Sequence, residues 1–288
     1  MNIIVNIKKI LGAVWLFAGM WMVAEAAVPK RVITLGSALT ETVYALGYGN
    51  TVVATDVTSV SPAEAAKLPR VSKNRSVSAE GLLAYRPDLI LAPTGDVPAA
   101  IMSQLKAAGV RLVEVKQEYS EKGAIRYILT VAQAMGVVDK GKSLAAKVQQ
   151  ELNAAKGVVQ KSAKDKKPKV LFIYARGTGT MSVAGKGSSL DAIIELAGAR
   201  NAVQEFADFK PYTTESLVKA NPDIILMFDF GMSSLGGKDA ILKMPGVRAT
   251  TAGKNKQIIQ MNGPLLINFS TRLPEAMLQL NKSITAVL

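Results

Sequence analysis

The chain has 288 residues, a formal net charge of +13, and neither cysteine nor histidine. The lack of cysteine excludes disulfides and thiolate metal sites, and the lack of histidine removes the commonest metal ligand and the commonest general base. A Ser-His-Asp constellation, a His-rich metal site and a histidine ligand to iron are therefore excluded. So basic a chain is typical of proteins that bind an anionic partner.

Residues 1–26 have the three parts of a secretory signal peptide. Lys8 and Lys9 form the basic start, residues 10–23 the apolar stretch, and Ala24-Glu25-Ala26 a small-x-small cleavage site. The alternative, a membrane anchor, needs about 18–20 apolar residues, more than this run supplies. We predict a cleavable signal, no lipid-anchored cysteine, and a periplasmic chain that starts at Ala27 with a charge of +12. Export, together with the lack of a basic run interleaved with aromatics, argues against a nucleic-acid partner.

After residue 26, short apolar runs alternate with helical patterns. We predict strands at 31–35, 52–54, 89–92 and 111–115, and helices at 39–46, 80–85 and 98–108. Ser78 is expected to cap the helix at 80–85, and Gly47 and Gly109 are expected to end their helices. The alternation indicates a parallel sheet covered by helices on both faces.

From residue 120 the pattern is helical, with predicted breaks at Gly136 and Gly141 and one long helix of about 33 Å at 139–160. A second series follows, with strands at 169–174, 224–228 and 258–261 and helices at 189–197, 213–220 and 274–287. We therefore divide the chain into a signal peptide (1–26), an N-terminal lobe (27–119), a helical connector (120–168) and a C-terminal lobe (169–288).

One segment occurs twice, 135 residues apart. Residues 78–91 (SAEGLLAYRPDLIL) return as 213–226 (TTESLVKANPDIIL), with a hydroxyl, Glu, Leu and Pro-Asp at matching places. A weaker echo relates 37–53 to 188–203. So long a period is not that of a solenoid. It predicts an α/β fold of two doubly wound, Rossmann-like lobes, joined by a single long helix, with a ligand cleft between them.

These features resemble the periplasmic substrate-binding proteins of iron-complex ABC importers, and among them the hemin-binding branch. The resemblance covers the chain after residue 26, and the stretches that carry it are 70–81 (RVSKNRSVSAEG), 175–185 (ARGTGTMSVAG), 245–253 (PGVRATTAG) and 269–277 (FSTRLPEAM). It implies capture of heme and its delivery to an inner-membrane ABC permease and its ATPase, downstream of an outer-membrane heme receptor. Heme is then the transported ligand, and no catalytic cofactor is expected. A ferric-siderophore-binding or corrinoid-binding protein of the same transporter class stays open as the alternative.

The resemblance also implies that one Glu of each lobe docks on the permease, and the matching residues are Glu80 and Glu215. Two such carboxylates would meet basic pockets of a two-fold permease and fix the orientation of the protein. The alternative is that both are first-turn acids favoured by the helix dipole.

The ligand site departs from the pattern of the hemin branch. That branch commonly has Tyr-x-Arg just before Ser-Ala-Glu-Gly, with the Tyr bound to iron and the Arg hydrogen-bonded to it. Here the triplet is Lys73-Asn74-Arg75, so the Arg matches and the Tyr is missing. Lysine suits a propionate or phosphate as a point charge. By the offset of 135, Lys210 answers Arg75 and Tyr212 answers Val77.

Arg176 and Thr178 follow the strand at 169–174, where a doubly wound lobe presents binding loops. We therefore predict that Lys73, Arg75, Arg176 and Lys210, with Thr178, surround a dianionic ligand, and that Tyr212 is the candidate axial donor to iron. The alternative is that the basic side chains are ordinary exposed residues of a basic protein. Further candidates for the cleft are Gly36-Ser37, Met181, Phe228-Asp229-Phe230, Met232 and Arg272.

Enzyme activity is not predicted. Gly177-Thr178-Gly179 lacks the third glycine of a dinucleotide fingerprint, and Gly185-Lys186 lacks the glycine and hydroxyl residue of a P-loop. Nothing in the sequence places a nucleophile beside a base.

Overall fold

The computed structural model describes residues 28–72, 74, 76–162, 166–175 and 181–288. The predicted signal peptide, and the predicted ligand residues Lys73, Arg75, Arg176 and Thr178, lie outside the described residues. Within the described ranges, no helix combines the length and the apolar character that a membrane span requires.

The N-terminal lobe is built on a four-stranded parallel sheet, sheet A, with strand order β2-β1-β3-β4. Its strands are β1 (Val32–Thr34), β2 (Val52–Thr55), β3 (Leu89–Pro93) and β4 (Arg111–Val115), and its helices are α1 (Ser37–Ala45), α2 (Ala63–Ala66), α3 (Ala79–Leu83) and α4 (Ala99–Ala107). Alternate residues of β3 pack on opposite faces. Leu89 and Leu91 lie in the core beneath α1 and α5 (Glu121–Ala134), whereas Ile90 lies in the core beneath α3 and α4. Because both faces of the sheet are covered, the lobe is doubly wound, as predicted.

Two helices follow sheet A, namely α5 and α6 (Val138–Lys161). Gly136, with φ of 69°, takes the left-handed conformation between them, as expected for a helix-ending glycine. The predicted break at Gly141 is wrong, because this residue lies inside α6. A Cβ there would stand 2.2 Å from the Cβ of Ala132, so the glycine allows α5 and α6 to pack closely. The 24 residues of α6 span about 36 Å.

The C-terminal lobe is built on a six-stranded sheet, sheet B, with the path β10-β9-β5-β6-β8 and β7 paired to β5. Its strands are β5 (Lys169–Tyr174), β6 (Ser182–Ala184), β7 (Arg200–Asn201), β8 (Phe209–Pro211), β9 (Ile224–Phe228) and β10 (Ile258–Met261). Its helices are α7 (Ser189–Leu196), α8 (Thr214–Ala220), α9 (Asp229–Ser234), α10 (Lys238–Leu242), α11 (Pro245–Ala249), α12 (Thr251–Lys254), α13 (Gly263–Ile267) and α14 (Leu273–Val287).

Sheet B is mixed, with both parallel and antiparallel strands. Strand β6 pairs antiparallel with the end of β5, and β8 pairs antiparallel with β6. Each has three residues, and β8 is exposed along its length, so neither produces an apolar run or an alternation in the sequence. The parallel strands β5, β9 and β10 have the predicted bounds.

The repeated Pro-Asp has the same structural role in both lobes. The carboxylate of Asp88 accepts hydrogen bonds from the amides of Lys30 (2.7 Å) and Arg31 (3.1 Å) at the start of β1. The carboxylate of Asp223 accepts one from the amide of Lys169 (2.7 Å) at the start of β5. Each aspartate thus ties the segment after its helix to the first strand of its lobe.

The start of the repeat is also structural. Ser78 caps α3 by accepting a hydrogen bond from the amide of Gly81, and Thr213 caps α8 by accepting one from the amide of Ser216, both at 3.1 Å. The Leu that follows each cap by four residues is buried in its core cluster. Packing and capping therefore account for most of the repeat.

Candidate functional site

The two lobes meet at the carboxyl ends of their parallel strands. Ser37, the first residue of α1, donates a hydrogen bond of 3.0 Å to Asn268, which lies between α13 and α14. Nη1 of Arg272 lies 3.4 Å from Oε1 of Glu41, also on α1. Loops at the carboxyl edges of two doubly wound sheets are where such lobes bind ligands. The candidate site is therefore the cleft between these edges.

Aromatic side chains line this edge, and we call Tyr119, Tyr174, Phe209 and Phe230 the aromatic floor. Tyr119, Phe209 and Phe230 are 43%, 42% and 44% exposed, and among the described residues they are the only aromatic side chains in the exposed class. The ring centroid of Tyr174 lies 5.8 Å from that of Phe230. The partly exposed rings of the aromatic floor suit a flat, apolar ligand.

Buried rings hold the aromatic floor in place. Phe209 packs edge-on against buried Phe172 at 6.1 Å, and Phe172 contacts Phe228 at 4.6 Å. Tyr119, on the N-terminal lobe, packs edge-on against Phe269 of the C-terminal lobe at 5.4 Å. Of these rings, sequence reasoning named only the stretch from Phe228 to Phe230, since the others lie at the ends of separate elements and form no periodic pattern.

The junction between the lobes is a polar cluster, which we call the interlobe joint: Ser37, Glu41 and Asn268, which are buried, and Arg272, which is half-buried. Burial raises the pKa of the Glu41 carboxyl, and the Arg272 guanidinium opposes this rise. Oε2 of Glu41 and Nδ2 of Asn268 are buried without a hydrogen-bond partner among the described residues. Arg272, a further candidate for the cleft, pairs with Glu41 and with Glu275, and its role toward a ligand stays a prediction.

The predicted ligand residues Lys210 and Tyr212 lie on and beside β8, the edge strand of sheet B. The Tyr212 hydroxyl donates a hydrogen bond of 2.9 Å to Glu205, and burial and this carboxylate raise the pKa of Tyr212. Nζ of Lys210 lies 5.3 Å from the ring centroid of Phe206. Their roles toward a ligand stay predictions.

The other candidates for the cleft differ in exposure. Met232 is 5% exposed inside α9, so it belongs to the core of the C-terminal lobe. Met181 is partly buried against the same core. Ser37 is buried, and its hydroxyl is committed to Asn268. Phe228 is buried, which leaves Phe230 as the exposed member of its stretch.

Glu80 and Glu215 occupy equivalent places on α3 and α8, two residues after each capping hydroxyl. Both are exposed, and neither makes a hydrogen bond or an ion pair with another described residue. The N-termini of α3 and α8 lie at the carboxyl edges of the sheets. The two carboxylates are thus on the face that carries the cleft.

Two surface depressions lie on the opposite, amino edges. One is lined by residues around the starts of β5, β9 and β10, and the other by the end of α1 and the start of α6. Within the part of the chain that the structure describes, no group of three or more Asp and Glu side chains is placed to hold a metal ion.

Both the sequence and the fold are similar to those of known proteins. A family model described as periplasmic binding protein matches residues 32–265. The fold is similar to the solved structure of the periplasmic heme-binding protein BhuT in complex with two hemes, with 38% identity and a TM-score of 0.85 over 90% of this chain and 98% of that one.

Of two further similar proteins, one has no stated ligand and the other is a vitamin B12-binding protein. An uncharacterized ABC transporter substrate-binding lipoprotein of Bacillus subtilis is 27% identical over 258 residues, which cover 89% of this chain and 80% of the relative. A vitamin B12-binding protein of Pectobacterium atrosepticum is 26% identical over 257 residues, with 88% and 90% covered.

Proposed function

Because the chain belongs to the periplasmic binding protein family, we propose that it is the hemin-binding component of an ABC importer. Residues 1–26 direct its export to the periplasm and are cleaved off. The protein then captures heme that has passed an outer-membrane receptor and delivers it to an inner-membrane permease and its ATPase. Its function is binding and release, without a chemical step on the ligand.

The observation that carries hemin as the ligand is the aromatic floor. Its three exposed rings each leave on the order of 80 Å² open, and covering them with a macrocycle contributes about 2 kcal/mol per ring at about 25 cal/mol per Å². The similarity to a heme-binding protein at 38% identity supports the same ligand.

Hemin also carries two propionates, which need cationic partners. Lys210 lies on β8, the edge strand of sheet B, and follows Phe209 in the sequence. The predicted set is completed by Lys73, Arg75 and Arg176, with the hydroxyl of Thr178. We retain all five as proposed ligand contacts. Such charges also raise the rate at which an anionic ligand enters the cleft, an effect that salt weakens.

The permease is the second partner, and we propose that Glu80 and Glu215 bind it. Capping, packing and strand attachment account for the Ser78/Thr213 hydroxyls, the buried leucines and the Asp88/Asp223 carboxylates, but no described residue engages Glu80 or Glu215. Their position on the cleft face would turn the open side of the protein toward the permease.

Corrinoid is the alternative ligand, and the vitamin B12-binding relative favours it. A corrinoid brings its own axial ligands and lacks the two propionates of hemin. It would therefore use the aromatic floor without the basic set.

Ligand titration tests the proposal. Both tryptophans lie within residues 1–26, so in the protein from Ala27 onward hemin binding can be followed by tyrosine quenching and by the Soret band. We expect saturable hemin binding that Phe230→Ala weakens about tenfold and that Leu129→Ala, an exposed residue on α5, leaves unchanged. Saturable binding of cyanocobalamin with none of hemin would overturn hemin in favour of a corrinoid.

Docking is tested separately with the cognate permease and ATPase in lipid nanodiscs. The double variant Glu80→Gln/Glu215→Gln should bind hemin normally and lose stimulation of ATP hydrolysis. Glu195→Gln, at an exposed glutamate near the end of α7, is the matched control and should stimulate fully. Full stimulation by the double variant would refute the docking role.

A further inference from the structure

A ferric porphyrin takes an axial donor from its protein, and this chain offers few. It has no histidine and no cysteine, which leaves tyrosine and methionine among the established donors to heme iron. Of these two, the anionic phenolate oxygen of tyrosine is the better match for ferric iron, because the methionine thioether is a soft, neutral donor. The chain has seven tyrosines. All seven lie in the described residues, so each can be placed relative to the cleft.

Four of the seven are away from the cleft. Tyr44 lies in the last turn of α1, Tyr48 follows that helix, and Tyr85 lies just after α3, so all three are at the amino edge of sheet A. Tyr85 also donates a hydrogen bond of 3.4 Å to a backbone carbonyl. Tyr127 is 3% exposed in the core between sheet A and α5. None of these hydroxyls can reach a ligand between the lobes without unfolding its surroundings.

Two more, Tyr119 and Tyr212, each lie near a carboxylate. Tyr212 donates to Glu205 at 2.9 Å, so ligation would break a hydrogen bond to a carboxylate and place a phenolate beside it. Desolvation of the Tyr119 hydroxyl, together with the Asp208 carboxylate, raises the pKa of Tyr119. A neighbouring negative charge opposes the loss of the phenolic proton at both residues.

Tyr174 differs from all of these. It is the last residue of β5, at the carboxyl edge of sheet B, and its hydroxyl makes no hydrogen bond with another described residue. Edge-on contacts with Phe228 (6.3 Å) and Phe230 (5.8 Å) hold its ring within the aromatic floor. We propose that Tyr174 is the axial ligand to the iron of hemin.

The sequence supports this assignment through the resemblance to the hemin branch. Tyr174-Ala175-Arg176 has the Tyr-x-Arg spacing that Lys73-Asn74-Arg75 lacks, in the other lobe. The first lobe thus has a lysine where a phenol is missing, and the second has a phenol at the end of its first strand. With Tyr174 as the donor to iron, Lys73 is available to pair with a propionate.

The coordination step is a simple ligand exchange. The phenolic O–H bond breaks, its proton passes to solvent, and the oxygen donates an electron pair to iron in place of a bound water or chloride. Iron stays ferric, so neither an oxidant nor a reductant is required.

This inference rests on the proposed hemin function, and one set of variants tests both. Tyr174→Phe is expected to remove the ferric phenolate charge-transfer band and to weaken hemin binding about tenfold or more, while binding of iron-free protoporphyrin IX stays within about twofold. Tyr48→Phe loses the same atom at the amino edge, so it should keep both the band and the affinity. Normal protoporphyrin binding by Tyr174→Phe shows that the variant is folded.

Three results would overturn the assignment. The band could survive in Tyr174→Phe and disappear in Tyr119→Phe or Tyr212→Phe, which moves the donor. It could survive in all three variants, which excludes a tyrosine donor at the cleft. Resonance Raman spectra of the unsubstituted complex could lack phenolate modes, a readout that does not depend on any variant folding. Failure of the unsubstituted protein to bind hemin at all would instead defeat the proposed function.

Discussion

The interlobe joint predicts an unequal response to removal of its two charges. Replacing Arg272 with Met leaves the Glu41 carboxylate, 4% exposed, without its cation. Replacing Glu41 with Gln leaves Arg272 with Glu275, to which it makes hydrogen bonds of 2.8 and 3.0 Å. We therefore expect Arg272→Met to be clearly destabilising and Glu41→Gln to be close to neutral.

The geometry sets the size of the effect. At the 3.4 Å separation of Arg272 and Glu41 the Coulomb energy is about 5 kcal/mol at an effective dielectric constant of about 20, which is an upper bound for a cation that is 31% exposed. Charge-assisted hydrogen bonds contribute about 1.5–3 kcal/mol, and this one is long. We expect Arg272→Met to lower the free energy of unfolding by about 1.5–2 kcal/mol at pH 7, and by under about 0.5 kcal/mol in a Glu41→Gln background.

The pH dependence follows from the raised pKa of Glu41, whose unperturbed value is 4.5. The folded state binds this proton more tightly than the unfolded state, so the contribution of Glu41 to stability is fully present below pH 4.5 and is lost as the pH rises through the folded pKa. A protonated Glu41 needs no counter-charge. The cost of Arg272→Met should therefore shrink as the pH falls from 7 toward 4.5.

Urea denaturation followed by far-UV circular dichroism measures these differences. The control is Arg126→Met, which breaks an ion pair with Glu118 that is shorter, at 2.8 Å, but exposed. Exposed pairs contribute about 0.2–1 kcal/mol. An equal loss for Arg126→Met and Arg272→Met, or a loss for Arg272→Met that does not change with pH, would refute the argument from burial.

Two further predictions concern α6. Gly141→Ala should destabilise the protein despite the better helix propensity of alanine, because its Cβ would meet Ala132. Gly157→Ala, in the same helix, places its Cβ where no atom lies within 4 Å, so it should stabilise the protein by about 0.5–1 kcal/mol. We expect the Gly157→Ala variant to have the higher melting temperature, and the reverse order would disprove close packing of α5 and α6. Leu152→Ala, at a fully buried residue, should lower the free energy of unfolding measured in urea by about 2–5 kcal/mol. Val158→Ala, at a residue that is 50% exposed, should lower it by under about 0.5 kcal/mol. Equal losses would contradict the burial of the helix face that carries Leu152.

The parallel framework could be predicted because its signals are local. Strands β5, β9 and β10 are apolar runs bounded by polar or turn residues, and Ser78 and Thr213 precede their helices as capping residues do. The same local reasoning misjudged Gly141, because the residue type alone does not distinguish a glycine that ends a helix from a glycine that lets two helices pack closely. Only the packing partner, nine residues earlier on α5, distinguishes them.

The site was harder to predict, since its parts are distant in the sequence. Each interlobe pair of the joint, Ser37 with Asn268 and Glu41 with Arg272, is separated by 231 residues. The rings of the aromatic floor come from four separate elements or loops. Contacts between residues so distant in one chain produce no periodic pattern and no motif in the sequence. Composition and repeats therefore predicted a cleft between the lobes but not which side chains line it.

The placement of Glu80 and Glu215 has a mechanical consequence. Each lies on a short helix fixed to its own lobe, so the distance between the two carboxylates changes whenever the angle between the lobes changes. A partner that contacts both at once therefore selects one angle, and any strain it imposes acts on the joint formed by Glu41 and Arg272. A partner that binds both carboxylates would therefore distinguish an open cleft from a closed one without contacting the ligand.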